Sequence, residues 1–123
     1  MNFPKYYIGP MSKNVVDCII KHGQQHCVGL IPSRRQVDYC GGYVNKWNTR
    51  IFSEYVKGQN SNILLCRDHG GEFQGKDYDD GVQSFIEDCS YFDLIHIDPF
   101  RVSNSIEQAA EKTEQILVKL WNQ

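Results

Sequence analysis

The chain has 123 residues, with 13 Lys+Arg against 15 Asp+Glu and a formal charge of −2 at neutral pH. That length holds one domain, and the lack of a basic excess speaks against non-specific nucleic-acid binding. With 41% hydrophobic and 23% charged residues, the composition is that of a folded chain rather than a disordered one.

No apolar run approaches the ~20 residues of a membrane span. The opening Met1-Asn2-Phe3-Pro4-Lys5 lacks the charged-then-apolar layout of a signal peptide. Neither a membrane nor a nucleic acid is an expected partner. Five cysteines, at 18, 27, 40, 66 and 89, form an odd set with no Cys-x-x-Cys spacing. They point away from a disulfide framework and from a four-thiolate zinc site. Their apolar neighbours predict small core residues in a reducing, cytoplasmic compartment.

Four apolar runs recur, each followed by a helical pattern. Tyr6-Tyr7-Ile8 precedes a predicted helix from Ser12 to His22, capped by Ser12, with Val15, Val16, Ile19 and Ile20 on one stripe. Val28-Gly29-Leu30-Ile31 precedes a helix from Thr49 to Lys57, capped by Asn48 or Thr49, with Ile51, Phe52, Tyr55 and Val56 inward. Ile63-Leu64-Leu65-Cys66 precedes a helix from Asp80 to Cys89, with Val82, Phe85 and Ile86 inward. Leu94-Ile95-His96-Ile97 precedes a helix from Ser105 to Trp121, opened by Asn104-Ser105-Ile106-Glu107 in a capping-box pattern. Ile106, Ala109, Ala110, Thr113, Ile116, Leu117 and Leu120 give that helix its apolar face.

The runs are continuous rather than alternating, which suits parallel strands buried on both faces. The order βαβαβαβα predicts one α/β unit over residues 1–123 with a parallel sheet. Four units of a (β/α)8 TIM-type barrel need about 125 residues, so the chain matches half a barrel and is expected to belong to a larger one. A small open α/β sheet is the alternative. Half a barrel leaves two sheet edges and an apolar surface to be covered. Tyr7, Leu30, Leu65 and Ile97 are candidate members of that surface, and a homo-oligomer or a second barrel half is the expected partner.

Polar clusters follow three of the strands. They are Ser33-Arg34-Arg35-Gln36, Arg67-Asp68-His69-Gly70-Gly71 and Asp98-Pro99. Ligands bind at that end of parallel strands. Asp68 and His69 leave the third strand side by side, able to point to different sides, one for general acid–base work and one for zinc. The competing reading is a solvated loop with Asp68 capping a turn. His96 and Asp98 share a strand face by alternation. Asp98 can orient His96 or a ligand group, while His96 itself reads more readily as a satisfied core histidine. Arg34 and Arg35 suit a phosphate or carboxylate, with a surface ion pair as the competing reading.

Together these clusters resemble a known family. Gln36-Val37-Asp38-Tyr39-Cys40-Gly41-Gly42-Tyr43, extended back to Ser33, resembles the Gln-Val-x-x-x-Gly-Gly-Tyr segment of the non-catalytic subunits of tagatose-bisphosphate aldolase, relatives of the class II aldolases. Asn48 to Val56 resembles the following helix. Asp68-His69-Gly70-Gly71 resembles the family's Asp-His-x-Gly segment, and Ile95-His96-Ile97-Asp98 its Ile-His-Leu-Asp strand. Arg34-Arg35 is more basic than the family segment, and Glu72-Phe73 stands where the family has Pro-Asn.

The resemblance implies a barrel in ketose-bisphosphate metabolism and a Zn2+ site. Asp68 would be the catalytic proton-transfer residue and His69 a metal ligand, with Arg34, Arg35, Gln36 and Asp98 binding a sugar-phosphate substrate or anion. The family's other metal histidines belong to later strands, so the resemblance implies an incomplete catalyst. Two alternatives remain: a metal-dependent aldolase completed by a partner chain, and a phosphosugar- or anion-binding module built on Arg34, Arg35 and Gln36.

Overall fold

Each apolar run becomes a parallel strand in the computed structural model, which describes residues 3–122. The elements are β1 (Tyr7–Ile8), α1 (Lys13–His22), β2 (Gly29–Leu30), α2 (Thr49–Gln59), β3 (Leu64–Gly70), α3 (Val82–Tyr91), β4 (Leu94–Ile97) and α4 (Ile106–Trp121), with a 3-10 turn at Phe100–Val102. The strands pair in the order β1-β2-β3-β4, all parallel. The architecture is therefore α/β, a four-stranded parallel sheet alternating with helices.

Each crossover joins neighbouring strands in the same direction. Right-handed connections, the rule for such units, then carry every helix to one face. Accordingly α1 packs on α2, α2 on α3 and α3 on α4. Along β3, Leu65 and Arg67 are buried while Leu64, Cys66 and Asp68 are only half-buried. The buried set faces the helices and the other set faces the far side of the sheet. Leu30 and Leu65 lie in the helix-covered core with Val16, Phe52 and Val56. This corrects their placement on an uncovered surface: Leu30 pairs with Leu65 across the sheet, so the two share one face. On the opposite face Tyr7 lies over Gly29, where a Cβ would collide with its ring.

Helix starts follow local chemistry. Ser12 accepts from the Val15 N–H, Asn48 from Ile51 and Ser105 from Gln108. The box at α4 is shifted by one residue from the sequence pattern. Ser105 is the cap and Gln108 reaches back to the Asn104 N–H at 2.6 Å, while the Glu107 carboxylate hydrogen-bonds with Ser105. Only Ala109 of the α4 apolar face is buried, and Ile106 and Leu117 are exposed. The cysteines also differ from expectation. Cys18, Cys27, Cys40 and Cys89 are exposed and Cys66 is half-buried, because their neighbours rather than they occupy the inward stripe.

Two arginines are part of the interior. Arg67, on β3, gives Nε and Nη2 to both Asp88 oxygens at 2.7 and 2.6 Å and Nη1 to the carbonyls of Pro32 and Val37. Arg34 bonds Asp38, both oxygens of Asp79 and the Gly71 carbonyl. A buried unpaired ion costs several kcal/mol. These fork-shaped pairings offset that cost and tie β3, α3 and the loop after β2 together.

Candidate metal centre

The register of β3 against β4 creates the site. Arg67 pairs with Ile95 and Gly70 with Ile97. Asp68 and His69 therefore share the space opposite the single residue His96. This is a bulge, with one extra residue in β3. His69 takes up the irregularity with φ of 44°, in the left-handed region, which is uncommon for a residue with a side chain and recurs at functional sites. Gly71, just past the end of β3, allows the chain to close on the end of β4, since a Cβ there would stand 2.6 Å from the Asp98 carbonyl oxygen.

Strict alternation would send Asp68 and His69 to opposite sides. The bulge brings them together instead. Ligand atoms of Asp68, His69 and His96 all lie within 4.8 Å of one another. His69 Nδ1 is 2.6 Å from Asp98 Oδ2, and its Nε2 is 3.5 Å from Asp68 Oδ1. The His69 and His96 rings sit with centroids 4.8 Å apart. His96 is exposed, which corrects its reading as a core histidine. It shares the uncovered sheet face with Asp68, so no helix lies over it. Asp98 is held in turn by the Phe100 N–H, which donates to Oδ1 at 3.0 Å.

The electrostatics follow from these contacts. The hydrogen bond to Asp98 raises the His69 imidazole above its ordinary pKa, and burial opposes this while the Asp68 and Asp98 charges add to it. Burial pulls the Asp98 carboxyl upward, but the hydrogen bonds from His69 and Phe100 outweigh it and hold the group below its usual range. When His69 is neutral with its proton on Nδ1 toward Asp98, the Nε2 lone pair faces the Asp68 carboxylate. Two electron-rich atoms at 3.5 Å call for a cation between them, either a proton or a metal ion.

The donor set fits a divalent ion. Two imidazoles and a carboxylate are borderline-hard ligands suited to zinc, and three protein ligands with an open fourth position are the pattern of catalytic rather than structural zinc. Ligand atoms around a tetrahedral zinc ion, with bonds of about 2.0–2.2 Å, lie roughly 3.3–3.6 Å apart, so side-chain rotations that draw the cluster in by about 1 Å would let it hold one ion. Asp98 stands behind His69 as a carboxylate that would fix the ring and tautomer of a ligating histidine.

The remaining predicted residues divide. Arg34 is 1% exposed, and its donors are taken by Asp38, Asp79 and Gly71. It has nothing left to offer an external anion. Its guanidinium is held strongly protonated: burial works against the charge, but the Asp79 and Asp38 carboxylates overcome it. Gln36 is also turned inward, accepting from the Ser33 N–H at 2.8 Å. Only Arg35 is exposed. It lines an open cleft of about 650 Å³ together with Lys46 and Lys76.

His96 as a third member of the cluster is what sequence reasoning missed. Its available signal was the spacing His96-Ile97-Asp98 opposite Asp68-His69, readable only once the strand register is known. No protein-family model matches the chain, and no curated protein and no solved structure is significantly similar to it. The geometry by itself defines a parallel α/β protein with a histidine–carboxylate cluster on the carboxyl ends of adjacent strands.

Proposed function

We propose that the chain is a metal-binding component of ketose-bisphosphate metabolism, half of an aldolase-like barrel whose site is completed by a second half or a second copy. The carrying observation is the Asp68–His69–His96 cluster with Asp98 behind His69. The likeness of residues 33–43, 68–71 and 95–98 to tagatose-bisphosphate aldolase subunits supports the substrate class. Strand order β1-β2-β3-β4 with one helix layer is the order a barrel half requires.

In this reading His69, His96 and Asp68 would hold the ion. Asp98, hydrogen-bonded to Nδ1 of His69, would keep the proton there and leave Nε2 free for the ion. Asp68 would also be placed to take a proton from a bound substrate. The ion would supply Lewis acidity toward a carbonyl oxygen. Tyr7, Leu64 and Cys66, half-buried on the helix-free face, are available for burial against the completing half. The isolated chain is expected to be inactive as an aldolase.

Metal analysis after dialysis against zinc tests the reading. One ion per chain is expected, lost in His69→Ala and in His96→Ala. Absence of stoichiometric metal in the parent protein would overturn it. Sedimentation over a concentration series tests the completed barrel: self-association supports a second copy, whereas a monomer that unfolds cooperatively favours a self-sufficient open sheet.

A further inference from the structure

We propose that the cleft between the loops following β2 and β3 is a second, separate site that binds a phosphate monoester through Arg35, Lys46 and Lys76. The three cations line one cavity of about 650 Å³, in the size range of small-molecule sites. No carboxylate is among its lining residues. Among the described residues, none of the three forms an ion pair, although Arg34 and Arg67 nearby are saturated. A chain of net charge −2 thus gathers three cations without ion-pair partners in one concave place, with the Asp77 carboxylate near enough to act on Cys40 of its wall. Such a place focuses field lines and raises the local concentration of anions.

The cleft is built, not a chance gathering of surface lysines. Its Gly75 wall is pressed onto the buried ion pair beneath: a Cβ there would stand 2.8 Å from Arg34 Nη2 and 3.0 Å from Asp38 Oδ2. The loop on the other side is pinned by main-chain bonds, with the Tyr43 N–H donating to the Arg35 carbonyl and the Gly42 N–H to that of Trp47. Lys46 itself has φ of 55°, a left-handed conformation the turn imposes. Arg34 therefore does serve an anion site, as the buried floor that holds the loop carrying Arg35. Arg35 supplies a planar fork and the lysines point charges, the usual division of labour around phosphate. The Tyr43 ring at the mouth, 58% exposed, offers a surface to whatever carries the phosphate.

This site shares no residue with the metal cluster, so its test is run on chelator-treated protein. Calorimetric titration with inorganic phosphate, ribose 5-phosphate, AMP and unphosphorylated ribose is the experiment. Saturable binding of the three phosphates, mutually competitive and weakened by salt, with no ribose binding, is expected. Arg35→Gln and the double variant Lys46→Gln with Lys76→Gln should each weaken it by about tenfold or more, and His69→Ala should leave it unchanged. Tighter binding of ribose 5-phosphate than AMP identifies a sugar phosphate as the source, and the reverse a nucleotide. Loss of binding in His69→Ala, equal binding in the charge-removed variants that retain the parent circular dichroism, or no saturable binding by the parent protein would overturn the proposal.

Discussion

Arg67 and His69 are two residues apart on β3, and each pairs with a carboxylate on a following element. Their surroundings are opposite. Arg67 and Asp88 are both fully buried, and every Arg67 contact is internal. The His69 side chain is 57% exposed, and its Nε2 has no hydrogen bond beyond the loose approach of Asp68. The first pairing consumes its valence inside the fold. The second leaves a nitrogen and a carboxylate oxygen facing outward. A charged pair at a strand end is thus structural or functional according to whether its remaining donors and acceptors are spent.

This comparison predicts a graded set of effects. The largest belongs to the buried pair. Arg67→Ala leaves Asp88 charged or forced to protonate in the core, and should cost about 3–5 kcal/mol in urea unfolding. Burial already pushes the Asp88 carboxyl up, with Arg67 opposing it. Replacing both partners, Arg67→Met with Asp88→Leu, should recover most of that loss. A double replacement as unstable as Arg67→Ala would show that the carbonyl bonds to Pro32 and Val37, not the ion pair, carry the stability.

The exposed pair should behave in the reverse way. His96→Ala should change unfolding free energy by no more than about 0.5 kcal/mol, as exposed sites do, and His69→Ala by about 1 kcal/mol, because it also loses the Asp98 hydrogen bond. Both should lower zinc affinity by more than about 100-fold, beyond the range of an outer-shell change. Competition against a chromophoric chelator measures this. If stability and metal affinity fall together, the cluster is part of the folding core and the contrast with Arg67 fails.

Asp98→Asn should give a smaller effect, about 10–100-fold in zinc affinity, because the amide orients His69 less strongly and carries no charge. An effect as large as that of His69→Ala would make Asp98 a ligand itself.

The smallest expected effect is on acid stability. Arg34 hydrogen bonds hold the Asp79 carboxyl below its ordinary value, against partial burial. Its folded pKa lies below the unfolded value of about 3.9, so the folded state binds fewer protons there. The resulting stability is present above that value and is lost as the pH falls through the lower folded one. Asp79→Asn should therefore be less stable than the parent at neutral pH, with the difference shrinking below about pH 4. A constant difference at all pH values would assign the effect to hydrogen bonding alone.

Much of the element order was legible because its signals are local. Apolar runs and capping side chains depend on residues a few positions apart, and Ser12, Asn48 and Ser105 act on N–H groups three residues on. Even so, the third apolar run stops at Cys66, whereas β3 continues to Gly70 and takes the polar residues into the sheet. The segment after β2 carries no helix or strand pattern, yet Val37, Val44 and Trp47 in it are core residues. Their burial depends on Arg34 and Arg67 fastening that loop from inside.

By itself, the sequence determined a parallel βα succession and the rim on which Asp68, His69 and Asp98 stand, since strands alternating with helices run in one direction and bring their carboxyl ends to one side. Tertiary structure alone decided two things. The first is register: one extra residue opposite His96 brings side-chain atoms of Asp68, His69 and His96 within 4.8 Å of one another, which strict alternation would not do. The second is which of two adjacent arginines is spent. Asp79 lies 45 residues from Arg34 and reaches it only in the folded chain, so Arg34 becomes interior structure while Arg35 keeps its charge for the cleft. Contacts of that range leave no periodic mark on the chain, because they depend on loop paths and not on the spacing of neighbouring residues.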